Sequence, residues 1–336
     1  MVSKIKVDEI ESSQSGGDIT FNTLPKIGGV SNFGRKNYII NGNFDIWQRG
    51  TSVTGGYGPD RFVYQNSGST GTFAQGSFTA GQTDVPNNPK YFANLTITGA
   101  DDEANIAHRI EDVNTLSGET ATISFYAKHT TNAPTSFNIT SWQVFGSGGS
   151  AAVNTSIATG QTTTTSWQKY TATVTFPSVS GKTIGAGSYL EVLILNPNNE
   201  TFDIQIAQVQ LEKGSVATDF EVRPIGEELH LCKRYYQIFK GNSSFPVGIN
   251  KNITDNQYKV QSTVVLPVEL RGLDGTVTIP STTSNFSWQE GVNQRTSIGT
   301  INTNNGQLQI FTSWTGTSLD AHLVNITGDV EIDAEL

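Results

Sequence analysis

The chain has 336 residues, 35% hydrophobic and 15% charged, with 34 glycines, one cysteine and a formal net charge of −9. This length suits two or three domains, and a surplus of Thr, Ser, Asn and Gly favours strands and turns over helices. The acidity excludes an electrostatic footprint for DNA or RNA, the lone Cys232 excludes an intrachain disulfide, and no apolar run approaches the ~18 residues of a membrane span.

Residues 1–36 carry isolated apolar points, Ile5, Val7, Ile10, Ile19 and Phe21, among polar neighbours. Alternation predicts two very short strands at 5–7 and 19–21, with turns at 12–17 and at Gly28-Gly29. One copy cannot bury these side chains, whereas several copies wound about an axis can. The segment therefore reads as a stalk or attachment segment of a homotrimer, with a frayed terminal arm as the alternative. Met1-Val2-Ser3-Lys4-Ile5-Lys6 lacks the apolar core of a secretory signal. Synthesis in a reducing cytoplasm is expected, with release by another route such as cell lysis.

Residues 37–222 form the largest expected domain. Strand-like runs fall at 61–64, 71–79, 91–97, 105–113, 120–128, 136–145, 167–176, 189–195 and 202–211. Ile123 and Phe125 share one face, opposite Ser124 and Tyr126, while Thr171, Thr173 and Thr175 alternate with Ala172, Val174 and Phe176. Such strands without a long helix predict an all-β jelly-roll sandwich. Residues 223–237 are expected as a short linker helix. Pro224 opens it, Glu227-Glu228 lie in its first turn, and Leu229, Cys232, Tyr235 and Tyr236 form its apolar stripe. Residues 238–336, with alternation in 258–264, 307–311 and 330–336, read as a C-terminal β knob.

Catalytic chemistry finds little support. His108, His129, His230 and His322 show no metal-ligand spacing, and Cys232 has no partner to activate it. Asp101-Asp102-Glu103 reads as a solvated loop, and Arg109 with Glu111 as an ion pair on one strand face. Sugars stack on flat rings and are read by amides and charges, so outward aromatics are the candidates. Trp142 is expected to face outward, opposite Phe137, Ile139 and Phe145, and Tyr126 and Tyr64 are read the same way. Trp288 and Trp314, in Ser/Thr/Asn-rich surroundings, form an alternative sugar site in the knob.

The run 38–50, Tyr-Ile-Ile-Asn-Gly-Asn-Phe-Asp-Ile-Trp-Gln-Arg-Gly, resembles the opening of a jelly-roll module of phage tail-fibre proteins. Gly56-Tyr57, Asp60-Arg61-Phe62, His108-Arg109-Ile110-Glu111 (with His where Gln is usual), Ser124-Phe125-Tyr126-Ala127-Lys128 and Val209-Gln210-Leu211-Glu212-Lys213-Gly214 follow in that module's order. Ala217-Thr218-Asp219-Phe220-Glu221 and Cys232-Lys233-Arg234-Tyr235-Tyr236 extend the resemblance to about residue 240, and the first 21 residues resemble N-terminal segments of marine phage fibres.

The resemblance implies a carbohydrate-binding-module-like jelly roll in a trimeric virion fibre. It implies attachment to host lipopolysaccharide or capsule, and an N-terminus bound to a phage tail or baseplate protein. Related jelly rolls often hold one structural calcium. Asp45 matches one ligand position, Gln208 stands where an acid is frequent, and Asp203 lies five residues earlier. The expected function is thus a non-catalytic tail-fibre adhesin, made in the host cytoplasm and located on the virion. The rivals are a structural spacer with no ligand, a glycan-degrading spike and a secreted cellular adhesin.

Overall fold

A computed structural model describes residues 26–27, 30–31, 35–99, 103–195, 200–239, 271 and 330–335, with the further strands named below. The chain divides into two compact units, 1–36 and 37–336. In the first, β1 (Lys26–Ile27) pairs with β2 (Val30–Ser31). The short strands expected at 5–7 and 19–21 lie outside the described residues.

The second unit begins with β3 (Ser52–Val53), β4 (Gly56–Tyr57), β5 (Phe62–Ser67), β6 (Thr70–Ser77), β7 (Tyr91–Gly99) and β8 (Glu103–Glu111). It continues with β9 (Thr120–Lys128), β10 (Phe137–Val144), β11 (Val153–Gln161), β12 (Gln168–Thr175), β13 (Tyr189–Leu195) and β14 (Phe202–Lys213). After the helix α1 (Ile225–Lys233) come β15 (Tyr236–Phe239), β16 (Ser243–Pro246), β17 (Gly248–Lys251), β18 (Gln257–Val265) and β19 (Phe286–Glu290). The last are β20 (Asn293–Arg295), β21 (Thr300–Asn304), β22 (Gln307–Thr315), β23 (Ala321–Ile326) and β24 (Val330–Asp333).

Two antiparallel six-stranded sheets make the sandwich, in the orders β11-β10-β13-β8-β5-β4 and β12-β9-β14-β7-β6-β3. Period-2 alternation sends Ile123, Phe125 and Ala127 of β9, Phe137 and Ile139 of β10, and Leu190, Val192 and Ile194 of β13 into one shared core. The jelly-roll expectation therefore holds. Beyond β15, the described strands form two four-stranded sheets, β16-β23-β19-β20 and β17-β18-β22-β21.

The opening motif is used for folding. Asn41 adopts φ 61. Its side chain accepts from Ile46 N at 3.0 Å and donates to the carbonyls of Ile46 and Asp60 at 2.8 and 3.0 Å. Gly42 is required by close approach, because a Cβ there would lie 2.0 Å from the Val209 carbonyl oxygen. That approach lets Val209 N donate to Gly42 O at 2.8 Å. It coincides with a bulge in β14, where pairing with β9 jumps from Ala207 to Gln210 and Gln208 takes φ 51.

The helix forms where the sequence predicts it, opened by Pro224, and buries Cys232. Tyr235 and Tyr236 are buried as well, but Tyr236 already begins β15. β15 pairs with β24, Tyr236 opposite Asp333 and Phe239 opposite Val330. The partners of this strand pair are two arginines from the opening motifs. Arg61, 0% exposed, pairs with Glu335, donates to the Arg109 carbonyl and lies 3.5 Å from the Tyr235 ring centroid. Arg49 binds Asp333 at 3.0 Å and Glu335 at 3.4 Å, and lies 3.6 Å from the Tyr236 ring centroid. No helix among the described residues is long and apolar enough to cross a membrane.

Candidate functional site

The outer face of the β10/β13/β8 sheet carries the strongest group of candidate residues. On β10, inward Phe137 and Ile139 leave Trp142 facing out, 37% exposed. Its cross-strand neighbours are Asn154 of β11 and Glu191 of β13, and Glu191 in turn lies opposite Arg109 of β8. The next row on that face holds Val144, Tyr189 and Glu111.

Glu191 is buried and doubly held. Arg109 Nε donates to its Oε1 at 2.7 Å and Gln65 Nε2 to the same oxygen at 2.9 Å. The Arg109 guanidinium lies 5.0 Å from the Tyr189 ring centroid. An exposed indole and a half-buried phenol thus flank a fixed carboxylate–guanidinium pair, with amides from Asn154 and Gln65 alongside. The rings offer stacking surfaces, and the polar groups offer hydroxyl-reading partners.

Glu111 does not pair with Arg109 as expected. Arg234 takes it instead, at 2.7 and 3.0 Å, and Tyr235 Oη donates to it at 3.0 Å. Two residues on one strand face lie side by side along the chain, but their long side chains reach across to different partners. Burial works against the charged form of Glu111, yet Arg234 and the Tyr235 hydroxyl outweigh it and hold the carboxyl below its ordinary value. Glycoside hydrolysis pairs a carboxyl raised so that it stays protonated with an ionised one, and the shift of Glu111 does not suit the first of these roles. His108 is a packing residue, buried against Phe62 at 4.9 Å, with its Nε2 3.2 Å from Ile40 N. Burial, with Arg61 nearby, pushes its pKa well down, so the ring is neutral. Cys232 is buried, and burial pushes its thiol well up, away from a nucleophilic thiolate. Asp101 and Asp102 lie outside the described residues.

The other predicted residues are not gathered here. Tyr126 is on the outer face of the opposite sheet, paired with Lys169 of β12. Tyr64 is 1% exposed and belongs to the core, which corrects its outward assignment. β5 starts at Phe62, so Phe62 and Tyr64 point inward and Val63 outward, the reverse of the expected phase. Trp288 sits on β19 opposite Arg295 and Val324, and Trp314 on β22 opposite Tyr258. Their side chains lie outside the described residues.

The calcium candidates separate. Asp203 is fully committed to the loop after β9. Its Oδ2 accepts from Thr131 N and Asn132 N at 2.9 Å each, and its Oδ1 from Thr130 N and the Thr130 hydroxyl at 2.5 and 2.7 Å. Burial opposes its charge, but these bonds outweigh burial and lower its pKa to about 2. That corrects Asp203 as a metal ligand. Asp45 accepts from Asn43 Nδ2 at 2.8 Å, and burial raises its carboxyl pKa against that bond and Lys90. Asn43 Oδ1 and Gln208 Oε1 are buried without a hydrogen-bond partner among the described residues. Yet no group of three or more Asp, Glu, His or Cys side chains among those residues could hold a metal ion.

Glu191, Tyr189, Gln65 and Asn154 are not singled out by the sequence reading. Alternation in β13 carries a usable signal, since inward Leu190, Val192 and Ile194 force Tyr189 and Glu191 outward. Asn154 has none, because β11 is an edge strand whose sequence, Val-Asn-Thr-Ser-Ile-Ala-Thr-Gly-Gln, lacks strong alternation.

No family model and no curated protein matches the chain. Among solved structures, one described as "CBM4 structure and function" is 21% identical, covering 52% of this chain and 99% of that one with a TM-score of 0.34. The enzymatically active domain of tailspike protein 4 from bacteriophage CBA120 is 14% identical, over 53% of this chain and 21% of that one, with a TM-score of 0.33. A cyclase from Fischerella sp. TAU is 11% identical, over 54% of this chain and 97% of that one, with a TM-score of 0.37. With TM-scores this low, none of these likenesses bears on function.

Proposed function

We propose that the chain is a non-catalytic tail-fibre adhesin that attaches a phage virion to host surface polysaccharide, lipopolysaccharide or capsule, through the Trp142 face. The observation that carries this reading is exposed Trp142 in register with Asn154 and with a Glu191 fixed by Arg109 and Gln65. That combination suits an uncharged, hydroxyl-rich ligand better than a nucleic acid or a membrane. The virion setting rests on the sequence resemblance over residues 1–240. In this reading residues 1–36 anchor the fibre to a tail or baseplate protein, and three copies assemble. Hydrolysis is not part of the proposal.

The test is adsorption of the purified chain to a panel of intact bacteria, beside Trp142→Ala and a Trp288→Ala/Trp314→Ala double variant. Loss in Trp142→Ala supports this face, and loss in the double variant moves the site to the C-terminal half. Absence of adsorption by the parent chain would favour the spacer reading. Release of reducing sugar from host polysaccharide would replace the adhesin with a degrading spike.

A further inference from the structure

The described residues line a partly open cavity of about 130 Å³ on the outer side of the other sheet, away from Trp142. Tyr126 of β9 lines it, with Lys169 of β12 in register beside it. Gln208, in the bulge of β14, lines it from below, and Phe220 from the segment after β14 adds a second ring.

Both rims are braced. In the β6–β7 connection, Gln82 Nε2 donates to Val85 O and its Oε1 accepts from Val85 N, each at 2.9 Å. This holds Pro86 and Asn87 at the edge of the cavity. On the other side Glu221 N donates to Gln210 Oε1 at 2.8 Å, and Thr218 N to Glu212 Oε1 at 2.8 Å. The cavity is therefore formed before any ligand arrives, as small-molecule sites usually are.

Gln208 is the telling residue. It is 3% exposed and adopts φ 51, a conformation that a non-glycine residue rarely takes. Its Nε2 donates to Pro86 O at 2.7 Å, but its Oε1 is buried with no donor among the described residues. Backbone strain and an unmatched buried acceptor coincide in this one residue.

The surroundings define its chemistry. Tyr126 and Phe220 supply ring faces, while Lys169 and Asp219 bring opposite charges that cancel. An anion or a cation gains nothing there, and a neutral molecule with O–H donors and a C–H face does. Further along the same face of β9, Lys128 lies 5.2 Å from the Trp167 ring centroid, and that ring packs with Phe78 and Phe92 at 5.2 and 5.5 Å. A chain leaving the cavity in that direction meets a second aromatic platform.

We infer that this cavity is a second binding site, independent of the Trp142 face, for a single neutral pyranose unit whose ring lies on Tyr126. The test is saturation-transfer NMR on the full chain with the methyl glycosides of glucose, galactose, mannose and N-acetylglucosamine. It is repeated on Tyr126→Ala, Gln208→Leu and Trp142→Ala, with circular dichroism to confirm folding. At least one glycoside is expected to bind with a Kd of about 1 mM. Binding persists in Trp142→Ala and weakens at least tenfold in Tyr126→Ala. If Gln208→Leu fails to fold, Tyr126→Ala decides the outcome. Silence of the parent chain toward all four glycosides overturns the site. So does parent-like binding by Tyr126→Ala, or loss of binding in Trp142→Ala.

Discussion

Asp203 shows how a single carboxylate can be read as a ligand in sequence and prove to be a brace in structure. Four donors from residues 130–132 converge on it. Hydrogen bonds to a charged group contribute about 1.5–3 kcal/mol each in favourable cases, and Asp203→Ala should lower stability by about 2 kcal/mol or more in urea unfolding. The pH dependence has a fixed sign. Its folded pKa of about 2 lies below the ordinary 3.8, so its contribution is complete above about pH 4 and disappears as the pH falls through 2. Asp203→Asn should flatten stability over that window. Trp142 is the opposite kind of residue. Being exposed, it supports little of the core, so Trp142→Ala should leave the melting temperature nearly unchanged while weakening polysaccharide binding by about 10- to 100-fold, read by calorimetric titration. Gln208 and Tyr126 are both visible as residues in the sequence. The strain at Gln208 is not, since it arises from a bulge that only the pairing of β14 with β9 creates.

At the scale of elements, most of the sandwich is legible because its strands obey period 2. The run at 120–128 is β9 to the residue, and 189–195 is β13. Legibility fails where alternation is weak or phase is ambiguous. β11 has no alternating apolar face, β3 and β4 are two residues each, and β5 begins one residue later than the run 61–64 because Arg61 takes φ 72 and ends the preceding turn. The candidate site suffers accordingly: Trp142 is found from its own strand, whereas its partners arrive from four others. The docking of α1, β15 and β24 is also invisible, because it depends on charges more than 200 residues apart, Arg49 and Arg61 against Asp333 and Glu335. Removing one partner of a buried pair leaves the other uncompensated and costs about 3–5 kcal/mol. Glu335→Ala should therefore destabilise the unit by about that amount in denaturant unfolding. Gly42→Ala should cost about 1–3 kcal/mol by driving a methyl into the Val209 carbonyl.

At the scale of the molecule, the expectation is a trimer. Three weak sites on one particle raise avidity well beyond a single site when the receptor is multivalent, by 10²–10⁴ on the order-of-magnitude rule for linked sites. Light scattering on the full chain checks this directly, and a monomeric mass with residues 1–36 present sinks it. Deleting residues 1–36 should lower the oligomeric state without unfolding 37–336, because the two units are separately compact. The same deletion should weaken cell adsorption far more than it weakens binding to a soluble oligosaccharide.

The pairing of β15 with β24 has a further meaning for how such a chain can change. Tyr236 lies opposite Asp333 and Phe239 opposite Val330, so the polypeptide leaves the sandwich and returns to it at neighbouring points. Arg49 and Arg61 clamp this strand pair to the sandwich, and within the intervening chain Arg271 N also donates to Arg234 O at 2.9 Å. A different β unit spliced between residues 240 and 329 would meet the same strand pair. One scaffold can thus carry different inserts between the same two strands.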